Sequence, residues 1–280
     1  MSTLDVLADD GDGIPLIFHH GTPGAAVLFE PMVNAARAVG LRLVTYSRPG
    51  YGHTPEHTGR TVADAAADTA VILDELGAHQ FFTLGLSGGG PHALACAALF
   101  PGRCIAAATI GGVAPYGAEG LDFLAGMGPE NIEEFGLAVQ GREALIPFLQ
   151  EQADPLSRAD AAGIIEALSG LLPPIDREAL TGPVADWMVA SFHKAVVTGI
   201  AGWLDDDLAF ARDWGFSLDA ITVPVAIWQG GVDLMVPSAH GAWLAEHIPT
   251  ARPHLLPDHG HLSLAVADLP RIVADLATLR

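Results

Sequence analysis

The chain reads as an α/β protein: a mostly parallel sheet with helices on both faces, carrying one helical insertion. Three observations predict it. Short apolar runs of strand formers recur, each followed by a Gly- or Pro-rich loop and then by a segment with helical spacing. That rhythm stops between about Pro115 and Asp213, where helix formers are broken by Gly128-Pro129, Gly141, Asp154-Pro155, Pro173-Pro174 and Gly182-Pro183. It resumes at Val223 and continues to the end of the sequence. The expected division is residues 1–114 for the first part of the core, 115–213 for a helical cap insertion and 214–280 for the second part.

Taken in order, Thr3 to Ala8 alternates weakly, and the turn-rich Asp9-Asp10-Gly11-Asp12-Gly13 behind it predicts an edge strand and a hairpin. Ile14 to Phe18 is the first buried strand, ending in the loop His19-His20-Gly21-Thr22-Pro23-Gly24. Phe29 to Val39 has helical spacing and stops at Gly40. Leu41 to Tyr46 is the next strand, followed by the rigid turn Ser47-Arg48-Pro49-Gly50-Tyr51-Gly52. Val62 to Leu76 is a helix with Asp64 and Asp68 near its start and Gly77 past its end, as the helix dipole and C-cap favour. Phe81 to Leu84 and Ile105 to Ile110 are strands on either side of the helix Pro91 to Leu99. After the insertion come the strand Val223 to Trp228, a helix over about Ser238 to His247, the strand Arg252 to Leu256, and one amphipathic helix from Leu262 to Leu279.

Composition narrows the function classes. A chain of 280 residues, 50% apolar and 16% charged, can bury a large core. The formal charge of −20, from 33 acids against 13 Lys and Arg, repels polyanions, so neither nucleic acid nor an acidic membrane surface is an expected partner. A small neutral or apolar substrate fits better. Met1 to Gly13 carries no basic segment followed by an apolar one, and no stretch has the apolar length of a membrane span, so the expectation is a cytoplasmic protein. Cys96 and Cys104 read as buried small hydrophobes, and no Cys/His cluster has zinc spacing, so no metal or cofactor is expected. Both a monomer and a homodimer are compatible with the sequence.

The chemistry centres on Gly85-Leu86-Ser87-Gly88-Gly89. With 32 Gly and 9 Ser, composition alone gives about 0.1 chance matches to Gly-x-Ser-x-Gly, so context decides. Here the motif sits where a strand runs into a helix. The chain must turn sharply, glycine tolerates the close backbone approach, and the serine is pushed out at a helix N-terminus that favours negative charge. A serine hydroxyl needs a base within reach, and the base needs an acceptor that fixes its tautomer. Asp233 and His261 follow the two strands after the insertion, giving the order Ser87, Asp233, His261. His259 beside Asp258 competes with His261 for the base. His20 reads as a structural donor in its loop, His92 as core or surface, and Asp205, Asp206 and Asp207 as a solvated helix face. Phe123, Met127, Trp187, Met188, Phe192 and Trp203 in the insertion are candidates for the ceiling of a substrate pocket, each weighed against ordinary packing.

At these residues the chain resembles the α/β-hydrolase family over nearly its whole length. The likeness rests on His20-Gly21-Thr22-Pro23-Gly24, Arg48-Pro49-Gly50-Tyr51-Gly52, the serine motif, Gly230-Gly231-Val232-Asp233 with Val236-Pro237, and Gly260-His261. The resemblance implies Ser87 as nucleophile, His261 as base, Asp233 as its orienting carboxylate, and an oxyanion hole from the backbone N–H groups of Thr22 and Gly88. It implies acyl transfer on a carboxylic ester. The chain is also similar to capped esterases and to relatives of proline iminopeptidase, departing from the peptidase loop His-Gly-Gly-Pro-Gly at Thr22. An aminopeptidase, a carbon–carbon bond hydrolase, a cofactor-free perhydrolase, and a non-catalytic binding or signalling protein of the same fold are the alternatives.

Overall fold

The computed structural model describes residues 3–279. Its sheet has seven strands, β1 (Asp5–Ala8), β2 (Ile14–His19), β3 (Leu41–Ser47), β4 (Phe81–Leu86), β5 (Cys104–Ile110), β6 (Val225–Gly230) and β7 (Ala251–Leu256), in the order β1-β3-β2-β4-β5-β6-β7. All neighbours are parallel except β1, which runs antiparallel to β3. The α/β-hydrolase architecture expected from the sequence is thus present. The hairpin is not: β1 pairs with β3 instead of with β2. Asp9 explains the placement, because its Oδ2 accepts from the Leu43 amide at 2.5 Å and its own amide donates to the Leu43 carbonyl at 3.0 Å.

Alternation along the central strands sends side chains to two cores. On one face Leu16, Phe18, Leu84, Ala108 and Trp228 pack with helices α1 (Glu30–Ala38), α11 (His261–Ala267) and α12 (Leu269–Thr278). On the other, Ile17, Val44, Phe81, Ala107 and Ile227 pack with α2 (Asp64–Glu75), α3 (Gly89–Leu99) and α10 (Ser238–His247). Central strands buried on both faces explain why these runs are apolar throughout. Cys96 and Cys104 are buried free thiols, as expected. The predicted single C-terminal helix is two, because Pro270 lacks the N–H needed to carry the ladder across Asp268.

Between β5 and β6 lie six α-helices: α4 (Pro129–Ala138), α5 (Arg142–Leu156), α6 (Ala161–Ala167), α7 (Pro174–Ala179), α8 (Pro183–Ala195) and α9 (Ala201–Phe210). No core is legible for this stretch in the sequence, yet Ala138, Leu145, Leu149, Leu156, Trp203 and Leu204 bury one another and reach Tyr51 on the turn after β3. β3 and β4 flank β2 on opposite sides, so the order of strand addition reverses there and the loops after β2 and β4 face a crevice at the strand C-termini.

Candidate functional site

Ser87 follows β4 directly, with φ at +55°, and among the described residues it is the one non-glycine with positive φ. Such a conformation is costly for a residue with a Cβ and persists because its surroundings dictate it. Its amide donates to the Ile110 carbonyl at 2.8 Å, and its carbonyl accepts from the Gly90 amide at 2.9 Å. The flanking glycines are required by space: a Cβ on Gly85 would lie 2.2 Å from the Gly89 carbonyl oxygen, and one on Gly89 would lie 2.0 Å from the His19 carbonyl oxygen.

Ser87, Thr22 and His261 line one cavity of about 180 Å³ beyond the strand ends, roofed by the helices between β5 and β6. A side pocket of about 40 Å³ shares Thr22 and Ser87 and adds Gly88. Of the six candidate ceiling residues, Trp187, Met188, Phe192 and Trp203 line the cavity. Phe123 and Met127 do not. Phe123 stacks edge-on against Phe135 and His240, at centroid distances of 4.9 and 4.8 Å, and both residues belong to the core beneath α10. The segment before α4 is therefore packed onto the sheet domain, which spacing along the chain does not report.

His261 sits at the start of α11, buried, with Nδ1 2.7 Å from Asp233 Oδ2. Asp233 is fixed in turn by the amides of Met235 and Val236, both donating to Oδ1 at 2.8 Å, and by Gln229 Nε2 at 3.4 Å from Oδ2. Burial disfavours the imidazolium, but the Asp233 carboxylate outweighs it, and the net result is a pKa above the ordinary histidine value. A further carboxylate is invisible in the sequence. Asp176 on α7, fully buried, accepts from the His261 amide at 2.7 Å and the Ser263 amide at 2.8 Å, so the helical insertion caps the very helix that presents the imidazole. His259, the competing base, instead lies 3.0 Å from Asp268 through Nε2. Behind the pair, the space where a Gly111 side chain would begin is 2.7 Å from the His261 ring and 3.2 Å from Asp233 Oδ2, which is why glycine follows β5.

The loop after β2 is held by a buried ionic cluster, and here the sequence expectation is wrong. Asp205, Asp206 and Asp207 on α9 are 0–1% exposed, not solvated. Asp206 Oδ2 meets Arg48 Nη2 at 2.6 Å and accepts from Thr22 Oγ1 at 2.7 Å and Tyr51 Oη at 2.9 Å, while Oδ1 lies 2.7 Å from Arg60 Nη2. Burial opposes ionisation of Asp206, but Arg48 and then Arg60 hold its carboxyl well below the usual range. Arg48 also donates to the carbonyls of His20 at 2.6 Å and Gly21 at 3.0 Å, so the turn after β3 clamps the loop that carries Thr22. His20 donates through Nδ1 to the Gly21 carbonyl at 2.8 Å, the structural part expected of it. His92 is buried against Asp206 Oδ1 at 3.3 Å, and burial pulls its pKa down to about 4, so it stays neutral. Asp205 pairs with Arg142.

Comparison with known proteins gives the family. The chain is 27% identical over 271 residues to a non-heme haloperoxidase of Rhodococcus erythropolis, covering 96% of this chain and 92% of that one. It is 26% identical over 235 residues to a non-heme chloroperoxidase of Streptomyces lividans, covering 82% and 78%. Among solved structures, a bromoperoxidase from Bacillus anthracis superposes with a TM-score of 0.71 at 23% identity, covering 98% of this chain and 94% of that one. The family model described as alpha/beta hydrolase fold matches residues 14–268, and the chain belongs to that family.

Proposed function

We propose that the protein is a serine hydrolase that cleaves a neutral carboxylic ester through an acyl-enzyme. The observation that carries this reading is one cavity shared by a strained, outward-turned Ser87 and an imidazole whose far nitrogen is bound to a buried carboxylate. With Nδ1 engaged by Asp233, the neutral ring offers Nε2 as acceptor for the Ser87 proton. Ser87 Oγ attacks the ester carbonyl, and the amides of Thr22 and Gly88, two residues that line the side pocket, serve the oxyanion. His261 returns its proton to the leaving alcohol, and water then releases the acid. Turnover of a p-nitrophenyl ester series, acetate to octanoate, tests the reading, and absence of turnover on every member contradicts it.

The base must be neutral, so activity falls as pH drops through the His261 pKa. Because that pKa is raised, the acid limb of the kcat/KM profile is expected to have its midpoint above about 6.5. A midpoint at or below that value contradicts the Asp233 contribution. Gly111→Ala is expected to retain the fold and to lower kcat/KM about 10²-fold, since the new methyl occupies the imidazole's place and a displacement near 1 Å suffices for such a loss. Kinetics beside a circular dichroism spectrum check it.

The names of the haloperoxidase relatives favour a second reading, in which hydrogen peroxide takes the acyl group from Ser87 and leaves as a peracid. Bromination of phenol red in acetate, bromide and peroxide, dependent on Ser87, distinguishes it from simple hydrolysis.

A further inference from the structure

One carboxylate close to the site takes part in neither the proposed proton transfer nor the loop clamp. Asp176 on α7 is fully buried, and both of its oxygens are committed to the start of α11: Oδ2 accepts from the His261 amide at 2.7 Å and Oδ1 from the Ser263 amide at 2.8 Å. These partners are amides, not a cationic side chain. Apolar packing would join the helical insertion to the sheet domain at a lower desolvation cost, so the buried charge calls for a role beyond docking.

The helix that Asp176 holds is poorly equipped to hold itself. α11 has seven residues, His261 is the first of them, and Gly260 before it has no side chain to serve as a cap. Ser263 Oγ accepts from the Gly260 amide at 2.8 Å, and the amides of His261 and Ser263 go to Asp176. Space is reserved for that carboxylate, since a Cβ on Gly260 would lie 2.5 Å from both of its oxygens. The backbone that aims the imidazole is therefore fixed by a residue 85 positions earlier, while Asp233 fixes the ring through Nδ1. A shift of the first turn of α11 carries Nε2 away from Ser87 even if the bond to Asp233 survives.

Asp176 also acts on the ring through its charge. The charged groups around the imidazole are Asp233 from the loop after β6, Asp176 from α7 and, across the cavity, Glu130 and Glu134 from α4. On its own side His259 is paired with Asp268, which also meets Arg271. Burial works against the protonated ring, and Asp233 first and Asp176 after it work for it.

We propose that Asp176 is a positioning residue for the proposed reaction: by anchoring the first turn of α11 it holds His261 toward Ser87, so the base is in place only while the helical insertion is docked. The inference rests on the acyl-enzyme reading. Asp176 is not among the residues that line the cavity, so its removal acts on the base and not on substrate binding.

The test compares Asp176→Asn with Leu73→Ala, a change in the buried core beneath α2, away from the insertion and from α11. On p-nitrophenyl acetate, well below either melting temperature, Asp176→Asn is expected to lower kcat about 10- to 100-fold and to leave KM within about twofold, the split that a displaced base produces. Leu73→Ala destabilises the protein and is expected to leave both constants unchanged. The second readout is the titration of His261 Cε1 by NMR in protein labelled with 13C-histidine, the signal being assigned by its loss in His261→Ala. Taking a negative charge from beside the ring disfavours its protonated form, so the midpoint is expected to fall below the parent's in Asp176→Asn and to match it in Leu73→Ala. Should Asp176→Asn fail to fold, Gly260→Ala, whose methyl presses on both carboxylate oxygens, reports the same loss in kcat. A defect confined to stability, with kcat and the His261 midpoint at parent values, overturns the inference and leaves the hydrolase reading intact. A rise in KM at unchanged kcat overturns it too. No ester turnover by the unmodified protein removes the hydrolase reading and this inference with it.

Discussion

Ser87→Ala is expected to lower ester kcat by about 10⁵–10⁶, more than any other single change, because it removes the group that forms the covalent intermediate and leaves only binding and oxyanion contacts. The loss is chemical and not structural. Ser87 holds φ at +55°, a conformation that a side chain tolerates poorly, so the fold bears a strain there that serves only to present the hydroxyl. Alanine keeps that strain. Ser87→Gly removes it, and is expected to be equally inactive yet more stable by about 1 kcal/mol. Kinetics on p-nitrophenyl acetate paired with denaturant melts of both variants check the contrast. A glycine variant less stable than the parent would mean that the turn is not strained.

The second large effect falls on stability. Asp206→Ala leaves Arg48 and Arg60, 1% and 3% exposed, without the carboxylate they share, and is expected to cost about 3–5 kcal/mol. In thermal terms that is a fall of roughly 10 °C. Removing Asp74 from its exposed pair with Arg103 is the control, expected to change stability by about 0.5 kcal/mol or less. The pH dependence has a definite sign. The Asp206 carboxyl is depressed in the folded chain, so its contribution is fully present above its unfolded value of about 3.9 and is lost as pH falls through the folded value. The stability difference between parent and variant is therefore flat from about pH 5 to 8 and shrinks only in strong acid. The same substitution frees Thr22 Oγ1 and the Arg48 clamp on the His20 and Gly21 carbonyls, so residual activity is expected to fall as well.

These two cases show what a linear sequence exposes. Ser87, Asp233 and His261 are legible because each stands just past a strand end, framed by glycines whose need for space is a local property. The structure sets Ser87 and His261 on one cavity, with Asp233 2.7 Å from His261 behind it. Asp206 is illegible for the opposite reason. Three consecutive acids read as a solvated face because their partners Arg48 and Thr22 lie 158 and 184 residues away, and charge pairing at that range leaves no periodic trace. Asp176 is hidden likewise, 85 residues before the amide it caps. Among the pocket candidates, aromatic and methionine spacing finds Trp187, Met188, Phe192 and Trp203 but cannot separate them from Phe123 and Met127, which pack onto the sheet domain. Helix breaks such as Pro270 are local and could have been read. The docking of one helix on another could not.

The most direct test of the central claim is active-site labelling. After treatment with a fluorophosphonate, peptide mapping is expected to show one adduct, on the peptide containing Ser87, forming more slowly as pH falls through the His261 pKa and lost in His261→Ala. An adduct on a different serine, or none on folded protein, would contradict the account.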